Sequence, residues 1–156
     1  MAKFKFKLKT LLSLRRQLEE QAKSALSKAI MSLNRELARL SGIRAAISAS
    51  LDEFRVLSGG RFEAGRIKEY NRFISAMRER EKAQLAEVKA AEGRVEQARR
   101  ELLEAVQRRE MLDKLRDKAY VRYLDDERHA EQMVVDEIIS YKIGSNLNGE
   151  SIEKTQ

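Results

Sequence analysis

The stretch VKAAEGRVEQARREL, Val88–Leu102, places small or apolar residues at Val88, Ala91, Val95, Ala98 and Leu102, with charged and polar residues in most of the intervals. Alternating steps of three and four are the spacing of a heptad seam, the stripe along which one helix packs on another. The same pattern runs back through Ile67, Tyr70, Ile74 and Met77. It runs forward through Ala105, Leu112, Ala119, Tyr123, Ala130 and Met133. One uninterrupted helix is therefore predicted from about Arg66 to Tyr141, about 110 Å long at 1.5 Å per residue.

A second stripe precedes it. Leu26, Ile30, Leu33, Leu37, Leu40, Ile47, Leu51 and Phe54 repeat at helical spacing, with Arg44 in the skipped seam position. They define a helix over about 8–57, roughly 75 Å long. The glycine cluster between the stripes, Gly59, Gly60 and Gly65, reads as a C-cap and a short connection over about 58–65. The fold class is all-α: a long antiparallel two-helix coiled-coil hairpin, residues 1–143, with the C-terminal helix the longer. The polar segment 144–156 has lost the periodicity and is expected to be a disordered tail.

Pairing Phe54 with Ile67 across the turn brings Leu8 beside Asp113 and leaves everything from about Lys114 without an intramolecular partner. That overhang still carries Leu115, Ala119, Tyr120, Tyr123, Val134 and Ile138. An isolated helix gains little in water without packing its apolar face, so a partner is expected there.

Composition agrees. With 37% charged and 6% aromatic residues and no proline, cysteine or tryptophan, the chain can build only a linear core. The missing cysteine removes disulfides and thiolate metal sites. No apolar run reaches the roughly 18 residues of a membrane span, and the basic start lacks the apolar region of a secretory signal. A soluble, intracellular protein is expected. The net charge of +7 matches the basic start, where Lys3, Lys5, Lys7, Lys9, Arg15 and Arg16 meet no acidic residue up to position 16. Beyond it, pairs such as Glu96 with Arg100, Glu104 with Arg108 and Glu110 with Lys114 fall four apart, acid first, the favourable arrangement on solvated helix faces.

Catalytic and cofactor chemistry finds no support. His129 has no second histidine or cysteine with which to hold a transition metal. Asp125, Asp126 and Glu127 are consecutive on a helix and fan apart, without the loop glycine of a calcium site. Gly59-Gly60 is followed by Arg-Phe-Glu, not by the Lys-Ser/Thr of a phosphate loop. The expectation is a protein that is not an enzyme, with no cofactor and no metal.

Particular residues resemble a known family. The opening from Phe4 through Phe6, Leu8, Leu11 and Leu12 to Arg15-Arg16, the central Tyr70-Asn71-Arg72-Phe73-Ile74, and the late Glu127-Arg128, Glu131-Gln132 and Asp136-Glu137-Ile138 are similar to the FliJ family of flagellar type III export proteins, over nearly the whole chain and in the same order. The resemblance implies a coiled coil similar to the central stalk of rotary ATPases. Such a stalk binds the hexameric ring of the flagellar export ATPase, promotes its assembly and activity, and couples it to the membrane export gate protein FlhA. It also implies a place in the cytoplasm, peripheral at the cytoplasmic face of the inner membrane through these partners, with substrate chaperones as further candidate partners. By order and type, Ile47, Phe54, Phe73 and Met77 match the gate-binding face. The ring-binding candidates are Lys3, Lys5, Lys7, Arg15, Arg16, Arg116, Lys118, Arg122, Arg128 and Glu131, on the argument that polar contacts suit a stalk that must not lock into one register.

Two alternatives have their own marks. An injectisome stalk or a dimeric scaffold would share the hairpin, and a dimer would cover the overhang with a second copy. A nucleic-acid or anionic-membrane binder would use the alternation of Lys3, Lys5, Lys7 and Lys9 with Phe4, Phe6 and Leu8, but no nucleic-acid module or continuous basic stripe surrounds it. No nucleic-acid partner is expected.

Overall fold

The computed structural model describes residues 3–57, 59 and 63–153, and of residues 145–153 the backbone alone. Two helices, α1 (Lys9–Leu57, 49 residues) and α2 (Ala64–Glu153, 90 residues), pack as a helical hairpin with no strand among the described residues. The start of α1 follows a turn at Lys7-Leu8, where the Lys9 N–H donates to the Phe6 carbonyl at 3.2 Å. At the start of α2 the Glu63 carbonyl accepts from Arg66 at 3.0 Å and Ile67 at 3.4 Å. The expected C-cap does not use Gly59, since no described glycine has positive φ. Ser58 and residues 60–62 lie outside the described residues.

The second helix departs from its expected ends. It begins two residues earlier than Arg66 and continues through 144–153, where the fading periodicity predicts disorder. With no proline in the chain nothing removes a backbone donor there, and Gly144 and Gly149 each cost only about 1 kcal/mol against alanine. Residues 154–156 of the expected tail lie outside the described residues.

By internal packing the chain divides into a turn unit, Arg15–Gln107, and a terminal unit, Met1–Leu14 with Arg108–Gln156. Within the turn unit α2 buries Ile74, Met77, Val88, Ala91, Val95 and Ala98, all read from the sequence as seam. The facing stripe of α1 differs from the one that hydropathy predicts. Buried or half-buried positions there include Glu19, Ala22, Leu26, Ala29, Leu33, Glu36, Leu40, Ile43, Ile47, Ser50 and Phe54, an unbroken alternation of threes and fours. Ile30 and Leu37, assigned to the seam by hydropathy, are 38% and 43% exposed, and Leu51 is also exposed. Small or polar residues, Ala22, Ala29, Glu36 and Ser50, take facing positions between Leu26, Leu33, Leu40 and Ile47, while Ile30, Leu37 and Leu51 flank the contact.

Several polar residues in or beside the seam are paired. Gln84 Nε2 donates to the Glu36 carboxylate at 2.7 Å and to the Glu36 carbonyl at 2.9 Å. The Arg44 guanidinium, outside the seam proper, reaches Glu81 at 2.7 Å. The buried Glu19 carboxylate lies 3.0 Å from Lys23. Phe54 stacks on Tyr70 with ring centroids 4.1 Å apart, so the register lies about one turn beyond the expected Phe54–Ile67 pairing.

In the terminal unit Leu12 and Leu112 are buried. Residues 3–6 are not helical, and Phe4 meets Tyr120 edge-on at 5.2 Å and Tyr123 at 5.5 Å. Unpartnered helix was expected from Lys114, but this non-helical segment brings Phe4 onto α2 as far as Tyr123. Beyond Glu127 every described side chain to Gly144 is exposed. No described helix is long and apolar enough to cross a membrane.

Candidate partner-binding surfaces

The turn unit carries a cleft of about 400 Å³ between the end of α1 and the start of α2, lined by Ser50, Phe54, Leu57, Tyr70 and Phe73 and rimmed by Glu53, Glu63, Arg66 and Glu69. Its floor is the Phe54–Tyr70 stack. The Tyr70 hydroxyl is buried there with no hydrogen-bond partner, an arrangement that costs about 1–3 kcal/mol. Phe73, at 45% exposure, stands at the wall.

Of the four residues matched to a gate-binding face, the structure brings Phe54 and Phe73 together in this cleft. Ile47 is half-buried in the seam, and Met77, only 8% exposed, packs there and borders a separate groove with Ile43, Ala46 and Gln84. Tyr70 was not singled out for this surface because its spacing marks it as a seam residue. The available signal was its chemistry: a tyrosine in an apolar seam needs a partner for its hydroxyl.

At the other candidate surface, Lys3, Lys5, Lys7, Lys118, Arg122, Arg128 and Glu131 are exposed in the terminal unit. Arg116 is half-buried and ion-paired, 3.5 Å from Asp113 and 3.0 Å from Asp117. Arg128 lies 3.7 Å from Asp125, and the His129 ring nitrogen Nδ1 lies 3.0 Å from the Asp125 carbonyl oxygen. Arg15, half-buried, and Arg16, exposed, belong to the turn unit. Of the expected helix-face pairs, Glu96 and Arg100 meet at 3.5 Å, whereas Glu110 lies 3.9 Å from Arg109.

Glu36, Lys23 and Tyr123 titrate away from their ordinary values. The hydrogen bond from Gln84, aided by Arg39, holds the Glu36 carboxyl below the usual glutamate range. Hydrogen bonds to Glu20 and then Glu19 raise the Lys23 ammonium. Desolvation raises the Tyr123 hydroxyl, with the Glu127 carboxylate adding to the effect.

Among the described residues, the turn unit offers an aromatic cleft, and the terminal unit offers exposed charged side chains and an uncovered stretch of helix. Compared with known proteins, residues 4–147 match the family described as Flagellar FliJ protein. No curated protein and no solved structure matches the chain.

Proposed function

The chain belongs to the FliJ family, a component of flagellar type III protein export, and from that premise we propose that it is the stalk-like partner of the export ATPase, without bond chemistry of its own. The observation that carries this reading is the bare segment of α2: from Arg128 to Gly144 no segment among the described residues covers the helix, and Val134, Val135, Ile138 and Ile139 are about half exposed. A single helix of that kind fits the axial channel of a hexameric ring, where a globular domain would not. The exposed Lys118, Arg122 and Arg128 at its base orient the association, since charge complementarity mainly steers encounter and register. FlhA is assigned to the Phe54–Phe73 cleft of the turn unit, with Ile47 and Met77 supporting it from the seam. Attachment to the inner membrane then follows from the gate, and substrate chaperones are further candidates for the same exposed faces.

The test is a titration of the cognate export ATPase, and separately of the FlhA cytoplasmic domain, with the full chain, a chain ending at Tyr123, and Phe73→Ala. The reading predicts that the shortened chain loses the ATPase and keeps FlhA, and that Phe73→Ala weakens FlhA by about tenfold or more, the loss expected for a buried aromatic anchor. Absence of ATPase binding by the full chain would overturn it in favour of an injectisome stalk or a scaffold.

A further inference from the structure

Charge in the terminal unit is segregated along α2. From Leu124 to Tyr141 six carboxylates, Asp125, Asp126, Glu127, Glu131, Asp136 and Glu137, stand against one cation, Arg128. The preceding stretch, residues 108–123, has six cations and three acids, and residues 3–14 add four lysines and no acid. An acidic bare helix thus grows from a basic base, within a chain whose overall charge is +7. Both halves also expose apolar side chains: Met111, Leu115 and Val121 on the base are 66%, 47% and 56% exposed, and Val135, Ile138 and Ile139 on the bare helix are about half exposed. Asp126, Glu131, Asp136 and Glu137 have no ion-pair partner among the described residues.

We propose that the occupant of this bare helix in the free protein is a second copy of the chain, the acidic segment of each α2 lying antiparallel on the basic base of the other about a two-fold axis. The surface is self-complementary, as an isologous interface requires. An axis near Leu124–Arg128 sets Glu131 and Glu137 of one copy among Lys114, Lys118 and Arg122 of its partner, with apolar faces on apolar faces, while Asp125, Asp126 and Glu127, which fan apart on the helix, lie around the axis with Arg128. Overlap of residues 108–143 from both copies is about 54 Å of helix pair. The parallel alternative would set acid on acid. This inference stands on the charge pattern alone and does not depend on the ATPase reading; where both hold, the dimer covers the helix until a ring displaces the second copy.

The experiment is the solution mass of the full chain by sedimentation equilibrium, for the parent, for Glu131→Lys with Glu137→Lys, and for Lys118→Glu with Arg122→Glu. All four positions are exposed, and circular dichroism verifies that the variants remain helical. The parent should give twice the 18.0 kDa chain mass, with a dissociation constant weakened roughly tenfold or more between low salt and about 0.5 M salt as the pairs are screened. Each double variant should be monomeric, and an equimolar mixture of the two should form a one-to-one heterodimer. A monomeric parent would overturn the proposal and return the bare helix to a different partner. A dimer indifferent to both reversals would overturn it by placing the contact elsewhere.

Discussion

Glu36 holds a seam position that an apolar residue would ordinarily fill, and Gln84 supplies the hydrogen bonds that make it tolerable there. Because Gln84 and Arg39 depress its pKa, the folded state favours the carboxylate. Its contribution is therefore present above about pH 4.3, the ordinary glutamate value, and is lost as pH falls through the lower folded value. Thermal melts should show Glu36→Gln below the parent in Tm at pH 7, with the gap closing in acid; a gap that persists at low pH would assign the effect to packing. Tyr123 carries the opposite sign. Burial raises its pKa above about 10, so the neutral hydroxyl is favoured and that stability is lost only as pH rises through the elevated value. Phe4→Ala should uncover the ring and lower its ultraviolet titration midpoint toward the ordinary value. An unchanged midpoint would mean that Phe4 does not shield it. Ala91, fully buried, lies where the helices leave no room. Ala91→Leu should cost about 1–3 kcal/mol in urea unfolding, and a neutral result would show that the seam is looser than its burial implies.

At the scale of the element, what could be read from the sequence divides by helix. The α2 seam was legible because its small residues coincide with the heptad, as at Val88, Ala91, Val95 and Ala98. The α1 seam was only half legible, because hydropathy favoured Ile30, Leu37 and Leu51 over the Ala29, Glu36 and Ser50 that face inward. Hydropathy measures what a residue would gain by burial, not how closely two backbones must approach. The backbone of α2 stays helical through 144–153 where amphipathicity fades, since fading amphipathicity marks loss of a packed face, which is not loss of helix. The cleft was partly legible, through Phe54 and Phe73, while Tyr70 was absorbed into the seam pattern. Gly42 and Gly93 sit inside the helices without positive φ, and a Cβ at either position would meet nothing within 4 Å. Gly42→Ala and Gly93→Ala should each stabilise by about 1 kcal/mol in urea unfolding. Destabilisation by either would show that the glycine relieves a contact.

For the whole molecule, family membership supplies the export setting, and the structure contributes an aromatic cleft in one unit and a bare, charge-segregated helix in the other. In the proposed stalk role this bare helix acts on the export ATPase. The most direct measurement is the steady-state ATP hydrolysis rate and the hexamer fraction of the cognate ATPase, with and without the full chain, and with the chain ending at Tyr123. A stalk role predicts that the full chain raises both and that the shortened chain raises neither. Equal stimulation by the shortened chain, or no effect of the full one, would contradict it.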